Sequence, residues 1–429
     1  MAQWLSLGIG NDMDLQGKLT TIFAAAGAGL VFSRAVHAAV APGPLRFLLF
    51  LPVVVVNCVL PATLLDPFEE GVILTGLVCA NFGWWCNFKL LAYSLDRGQL
   101  MRAQNSPLLV WLMVAAMPMR IDENNQPASA SPSEAAAAKE GSDYKKKKRS
   151  GSSVGPGPRV KEPSRRAWWT RFLGKLLMIS AAVLLEPHLP PGPNDLRHLI
   201  FAFGIIYAVL GCIFDVTAAF AARAFGLTLA PHFDKPFLST SATDIWARRW
   251  NLVVGTNLRD LVYAPIVEGR WLGGDAGAGV GGGPTVKAST AVYGDPIARP
   301  SAARRLTATT ACFLASGLMH EVLICWVTGR TAPTWEWTAY FTLQAPLVVF
   351  ERWVTRQTRV RLPAVVMIPV TMGVQLVLAR AFFFPPMVRT KLDERVLEDL
   401  SKMRLPGMEL LKVNLGLLNL GLPIFGSPA

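Results

Sequence analysis

Apolar residues run in long blocks along this chain, and most of the charged residues lie between the blocks. The apolar blocks occupy 19–40, 45–65, 71–93, 172–189, 198–223, 306–327, 335–350 and 362–384, and most of them are long enough to cross a bilayer as a helix. Block 107–119 covers only about half a bilayer, and 408–425 is interrupted by Lys412 and Asn414. We therefore predict an all-α polytopic membrane helix bundle with about eight spans, plus re-entrant or interfacial helices.

Composition agrees with that pattern. Hydrophobic residues make up 52% of the 429 residues, which excludes an ordinary soluble domain. The formal charge of +13 is concentrated in three loops, at 145–171, 223–305 and 352–361. An even number of predicted spans separates these loops, so they share one side, which the positive-inside rule makes cytosolic. No soluble module remains to bind nucleic acid, and none is expected as a partner.

Two polar stretches interrupt the predicted single domain, which covers 1–429. Residues 120–165 are rich in Ala, Ser, Pro and Gly, which is typical of a disordered cytosolic linker. The run from Lys145 to Arg149 fits either a solvated tether or a segment that binds anionic lipid headgroups. Residues 269–300 form a Gly-rich insertion with no strand before it, so we interpret it as a flexible linker.

His320 lies well inside the apolar block 306–327. His320 is about 15 residues past Arg305, so it is roughly 22 Å into the membrane at 1.5 Å per residue. Helical spacing predicts that it shares one side of the helix with four small or polar residues, Thr309, Cys312, Ser316 and Gly317. A buried neutral imidazole can act as a general base, and the alternative is a structural His bonded to a neighbouring helix. The following Glu321 does not complete a zinc motif, because Ile324 stands where His-Glu-x-x-His needs its second histidine.

A second polar cluster is PHFDKPFLSTSATDIWARRWN, which ends at Asn251. Ser241 and Asp244 resemble a capping box, and a helix from Ala242 onward would place Asp244, Arg248, Asn251 and Gly255 on one face. Trp246 and Trp250 would form the other face of an amphipathic helix at the cytosolic boundary. Arg248, Arg249 and Arg259 can meet phosphate groups there, or can lie among lipid headgroups as a plain surface helix.

Together, PHFDKPFLSTSATDIWARRWN, the SGLMHE segment around His320 and the NFKLLAYS segment near residue 90 resemble the plant wax synthase family. That family is a branch of the membrane-bound O-acyltransferases (MBOATs). The resemblance implies an acyl-CoA-dependent O-acyltransferase of the endoplasmic reticulum membrane that esterifies a long-chain fatty alcohol to a wax ester. It also implies that His320 is the essential histidine and Asn251 its partner, with Asp244 as the second choice.

Ester formation from a thioester needs only a base, a positioned pair of substrates and a dry site. We therefore expect His320 and Asn251 to be catalytic, with contacts to substrate from Asp244, Trp246, Arg248, Arg249, Trp250, Ser316 and Glu321. Acyl-CoA, a lipid alcohol and membrane lipids are the expected partners. No metal is expected, and no cofactor beyond the donor acyl-CoA. The same chemistry on a sterol or acylglycerol and a proton-coupled transporter stay open as alternatives.

Overall fold

Helices dominate this computed structural model, which describes residues 12–121, 165–185, 205–227, 229–273, 300–329, 332–358 and 362–402. Within those ranges, six helices are long and apolar enough to cross a membrane: Leu15–Ala39, Pro44–Leu64, Trp168–Leu185, Tyr207–Phe225, Ala302–Thr328 and Ala364–Arg389. The described residues contain no strand, only one isolated bridge between Ile121 and Leu229. These findings confirm the prediction of an all-α polytopic membrane protein.

The first part of the chain is a helical unit around an aromatic core. Its helices are α1 (Leu15–Ala39), α2 (Pro44–Leu64), α3 (Val72–Ala80), α4 (Asn87–Ser94), α5 (Gly98–Arg102) and α6 (Leu108–Ala116). A wide π-helical turn, Asn81–Cys86, joins α3 to α4, so the predicted span 71–93 is one helical course with a local bulge. The bulge includes Gly83, where an added Cβ would lie 2.4 Å from the Trp326 ring, so only glycine permits this close packing.

Helix α6 is nine residues long, in agreement with the half-bilayer length predicted for its block. Its last carbonyls accept hydrogen bonds from the buried Lys89 ammonium group, which reaches Val114 and Met117. A cation at a helix C-terminus satisfies carbonyls that have no partner inside the helix. Lys89 of the NFKLLAYS segment therefore has a structural partner.

Two further helices, α7 (Arg165–Leu185) and α8 (Tyr207–Phe225), pack against each other. The Lys175 Nζ and Asp215 Oδ2 atoms pair at 2.7 Å between them, because charges inside an apolar bundle are stable only when paired. The predicted spans 172–189 and 198–223 match these helices where the structure describes them. The linker 120–165, most of the Gly-rich insertion and the 408–425 stretch lie outside the described residues.

The structure contradicts the single amphipathic helix predicted from Ala242 onward. The segment forms a short α9 (Ala242–Asp244) and a π-helical turn (Ile245–Arg249), and then breaks before α10 (Leu252–Leu258). Trp250 is extended, and Asn251 adopts a left-handed conformation with φ 38°. Asparagine is one of the few non-glycine residues that enter this region at modest cost. The predicted shared face of Asp244, Arg248 and Asn251 therefore does not form.

The last part of the chain is built around α12 (Ala302–Thr328). A π-helical turn (Arg259–Tyr263) and α11 (Ala264–Glu268) precede α12 in sequence and pack against it. After α12 come α13 (Glu336–Thr342), α14 (Gln344–Thr358), α15 (Ala364–Leu378), α16 (Phe384–Arg389) and α17 (Leu392–Lys402). The predicted single span 335–350 is wrong, because it breaks at Leu343. Pro346 has no N–H to donate to the carbonyl of Thr342, so a continuous helix would lose that bond.

Candidate active site

His320 lies near the middle of α12 inside an aromatic cage. The centroid of its ring lies 4.1 Å from that of Phe341, which is stacked on it, and 4.8 Å from that of Trp84, which meets it edge to face. Trp337 completes the cage, with a centroid distance of 5.9 Å. These rings come from α13 and from the π-helical turn after α3, so three separate parts of the chain position one imidazole.

The hydrogen bonding of His320 defines its tautomer. Its Nδ1 atom lies 2.6 Å from the carbonyl oxygen of Ser316, one turn earlier in α12. A carbonyl oxygen only accepts, so Nδ1 must carry the proton and Nε2 must hold a lone pair. The described residues give Nε2 no hydrogen-bond partner. This arrangement leaves a neutral imidazole with its basic nitrogen free for a ligand.

His320 lines a cavity of about 330 Å³. The lining is mostly apolar and aromatic and comes from α3, α8, α12, α13, α15, α16, α17 and the 245–251 segment. It extends from Trp250 and Asn251 past His320 to Leu392 and Val396. A largely apolar cavity with a few converging polar groups is the usual form of a site for an apolar ligand.

Asn251 lines the same cavity. Its Oδ1 atom accepts a long hydrogen bond, 3.5 Å, from the backbone N–H of Val254 and so caps α10. Because the amide oxygen is used in this way, the Nδ2 group is the part of the side chain that remains for a ligand. The structure thus brings both predicted catalytic residues to one cavity, although they are about 70 residues apart in sequence.

Asp244 does not line this cavity. Its Oδ2 atom pairs with Arg249 Nε at 2.8 Å and accepts a hydrogen bond from the backbone N–H of Thr240. Arg249 also donates to the carbonyl of Asp234, whereas Arg248 is exposed. Asp244 and Arg249 therefore hold the 234–249 turn together. Of the two neighbouring arginines, Arg248 is the one whose side chain is accessible to a phosphate.

Trp246 and Trp250 do line the cavity. The Trp246 indole N–H donates to Gln344 Oε1 at 2.9 Å, and its ring meets Phe341 and Phe313 edge to face. The two tryptophans therefore lie at the cavity, where contact with substrate was predicted. They do not form the boundary-facing side of an amphipathic helix, which is a second difference from that predicted helix.

Ser316 and Glu321 act on the site indirectly. Ser316 contributes its backbone carbonyl to His320, as described above. The buried Glu321 carboxylate accepts hydrogen bonds from the backbone N–H groups of Thr334, Trp337 and Thr338. It thereby satisfies the free N–H groups at the start of α13, the helix that carries two rings of the aromatic cage. Contact between Glu321 and substrate, as expected from the sequence, is replaced by this supporting role.

Sequence reasoning missed a polar network in the cavity wall. Trp246 donates to Gln344, Gln375 Nε2 donates to Gln344 Oε1 at 2.9 Å, and the Tyr340 hydroxyl lies 3.3 Å from Gln375 Oε1. Tyr340 and Gln375 line the cavity. The available signal was the presence of two glutamines inside apolar blocks, since polar residues within a membrane span are costly and often functional.

Fold and site together define a class: a polytopic helical membrane protein with an imidazole and an amide at one largely apolar cavity. No family model matches the chain. It is 28% identical over 399 residues to a long-chain-alcohol O-fatty-acyltransferase of Simmondsia chinensis, covering 90% of this chain and 95% of that protein. It is 25% identical over 358 residues to acyl-CoA–sterol O-acyltransferase 1 of Arabidopsis thaliana, covering 82% and 86%.

A third relative is the probable long-chain-alcohol O-fatty-acyltransferase 8 of Arabidopsis thaliana, which is 26% identical over 356 residues and is covered to 84%. The similarity spans most of each chain, not only the motifs around His320 and Asn251. It confirms the resemblance to the wax synthases and the prediction that this chain is an acyltransferase.

Proposed function

We propose that this chain transfers a fatty acyl group from acyl-CoA to the hydroxyl of a long-chain fatty alcohol, producing a wax ester in the endoplasmic reticulum membrane. The observation that carries the proposal is the Nε2 atom of His320, which has no hydrogen-bond partner among the described residues. The Nδ1 bond to Ser316 sets its tautomer, and the ring lies at an apolar cavity that Asn251 also lines. The similarity to long-chain-alcohol O-fatty-acyltransferases over most of the chain supports the same reaction.

In this mechanism His320 Nε2 takes the hydroxyl proton while the alcohol oxygen forms a bond to the thioester carbonyl carbon. The carbonyl electron pair moves to its oxygen, where the Asn251 Nδ2 group donates a hydrogen bond to the developing negative charge. The intermediate then collapses, the carbon–sulfur bond breaks, and the CoA thiolate takes the proton from the imidazolium. His320 is returned to its starting form, and no water or nucleotide is consumed.

The aromatic cage contributes by excluding water. Trp84, Trp337 and Phe341 surround the imidazole, and water at this point would compete with the alcohol as a nucleophile and hydrolyse the thioester. The exclusion of water in this way directs the reaction toward ester formation.

A sterol is the second candidate acceptor, because one relative is an acyl-CoA–sterol O-acyltransferase with 86% of its length covered. The catalytic chemistry is the same for both acceptors. The difference would lie in the shape of the cavity, since a rigid ring system and a flexible chain fill the same volume differently.

The test is product identification. Membranes from cells without endogenous wax synthase or sterol acyltransferase activity would express the chain and receive labelled palmitoyl-CoA with equal amounts of hexadecanol, a sterol and a diacylglycerol. Labelled hexadecyl palmitate as the main product supports the proposal, and a sterol ester as the main product reassigns the acceptor. Absence of any labelled ester beyond the level of membranes that lack the chain refutes the acyl transfer itself, and full activity of a His320→Ala variant refutes the base assignment. Co-fractionation with an endoplasmic reticulum marker tests the location.

A further inference from the structure

The polar network in the cavity wall has a defined orientation. The Trp246 indole N–H can only donate, so the Gln344 atom that faces it must be the amide oxygen. Gln375 therefore turns its NH₂ group toward that oxygen and its own Oε1 toward the Tyr340 hydroxyl, which donates to it. The Gln344 NH₂ group reaches the Tyr340 carbonyl. Each atom in the network thus has an assigned role.

Spare hydrogen-bonding capacity faces the cavity at one end of this network. Gln344 is fully buried and outside the cavity lining. Gln375 keeps one amide N–H, and Tyr340 keeps the lone pairs of its phenol oxygen, with no further partner among the described residues. Both side chains line the cavity, and each residue is only 8% exposed. One spare donor and one spare acceptor therefore lie close together in the cavity wall, and each can bond a ligand without breaking the network.

The network lies between the histidine and the basic end of α12. Trp246 meets Phe313 edge to face, and Phe313 precedes His320 by seven residues, which is roughly 10 Å along a helix. This direction leads to Arg304 and Arg305, at the end of α12 that the charge pattern places in the cytosol. A donor with its thioester at His320 and its nucleotide in the cytosol must pass along this wall.

We infer that the Tyr340–Gln375 pair binds an amide group of the pantetheine arm of acyl-CoA and so positions the thioester at His320. A secondary amide presents one C=O and one N–H. The spare Gln375 N–H fits the carbonyl, and the Tyr340 oxygen fits the amide N–H. The inference rests on the proposed function and adds a recognition site for the donor, in which Tyr340 and Gln375 are positioning residues and not part of the proton transfer.

Truncated donors separate this role from general folding. S-palmitoyl-N-acetylcysteamine retains the amide next to the sulfur, and S-palmitoyl-1-pentanethiol has nearly the same size without it. We expect the wild-type protein to use the amide donor with a kcat/KM about tenfold higher than that of the alkyl donor, as one to two hydrogen bonds would produce. Tyr340→Phe and Gln375→Leu should bring this ratio close to one while the KM for the alcohol is unchanged.

Thr371→Val is the matched control, because Thr371 is a buried polar residue one turn before Gln375 in α15 and does not line the cavity. It should keep the wild-type ratio. A wild-type ratio near one, or a ratio that neither variant lowers, would overturn the inference while palmitoyl-CoA is still used. If the wild-type protein makes no ester from palmitoyl-CoA, the proposed function fails instead, so the two failures are distinguishable.

Discussion

Two partly buried histidines in this molecule lie in opposite environments. His37, in α1, has Nε2 2.9 Å from Asp96 Oδ1, and Arg46 Nη2 lies 2.6 Å from the same oxygen. Its ring is stacked on Tyr93 with a centroid distance of 3.8 Å. In the part of the chain that the structure describes, no carboxylate bonds to the His320 ring. One of its nitrogens is bonded to a backbone carbonyl, and the ring lies at the edge of a cavity.

The comparison teaches that a His–Asp pair by itself does not mark a catalytic site. Asp96 is already matched by the buried Arg46 guanidinium, so His37 completes a structural cluster that joins α1, α2 and the end of α4. It does not line the cavity. His320 is the histidine whose remaining nitrogen a substrate can reach. A hydrogen-bonding atom that remains available at a cavity indicates function more reliably than the number of polar partners around a side chain.

The sharpest test of this contrast is the pair His320→Ala and His37→Ala. Loss of a general base typically costs 10²- to 10⁴-fold in rate, so we expect at least about a hundredfold loss of acyl transfer for His320→Ala. His37→Ala should retain wild-type activity per folded molecule. Initial rates would be normalised to folded protein by size-exclusion chromatography in detergent. Comparable losses in both variants would abolish the distinction.

Asn251 is the next largest expected effect. Asn251→Asp keeps the left-handed backbone and the oxygen that caps α10, but it removes the Nδ2 donor. We expect a loss of kcat of about 10²-fold, the size found when one oxyanion donor is removed. Asn251→Gly tolerates the same left-handed backbone and also lacks the amide donor, so it should lose activity as Asn251→Asp does. An unimpaired Asn251→Asp enzyme would show that the amide nitrogen has no part in the reaction.

A stability experiment tests the structural role of the cluster formed by His37, Arg46 and Asp96. Asp96→Asn tolerates the left-handed φ of 57° at this position but leaves the buried Arg46 without its counter-charge. We expect the free energy of unfolding to fall by about 3 kcal/mol, seen as a lower Tm in detergent, with activity per folded molecule unchanged. Glu398→Gln breaks the exposed pair with Lys402 and should leave Tm unaltered. Equal Tm values for the two variants would argue against a structural His37 cluster.

The smallest expected effect is a pH dependence of stability caused by a third histidine, His232, which lies outside the helices that cross the membrane. Burial lowers the pKa of His232 to about 3, and the ring is stacked on Phe214 and bonded to the Pro118 carbonyl. Since the unfolded chain binds this proton near the ordinary pKa and the folded chain does not, stability is full above about pH 6.5 and is lost progressively as the pH falls.

Between pH 7 and 5.5 this single group should cost about 1 kcal/mol. His232→Asn cannot take up the proton, so its Tm should decline less steeply over that range than that of the wild-type protein. Parallel pH profiles for the two proteins would mean that folding does not lower the pKa of His232.

Much of the architecture could be predicted from the sequence because hydrophobic length is a local property. The blocks at 19–40, 45–65, 306–327 and 362–384 correspond to helices in the structure. His320 stood out because a polar residue in an apolar run is visible without any contacts. Asn251 was chosen through the resemblance, and its placement at the cavity is a finding of the structure.

The errors arose where distant residues decide the conformation. A helical wheel cannot show that the chain turns at Trp250 and Asn251, because the turn depends on left-handed backbone and on hydrogen bonds to residues 232 and 234. It also cannot show that Glu321 faces α13 instead of the cavity. Gln344 and Gln375 each stand out as polar residues in an apolar block, but the sequence does not show that they bond to each other across α14 and α15.

The sequence by itself therefore determined that this is a helical membrane protein with one polar ring nitrogen deep in a span, since the cost of exposing apolar surface or burying a polar group is set residue by residue. Only the tertiary structure decided which polar groups are satisfied and which are left free at the cavity. Hydrogen bonds are short and directional, so their pairing depends on how separate helices meet. That pairing distinguishes His320 from His37, and it leaves the edge formed by Tyr340 and Gln375 open to a ligand.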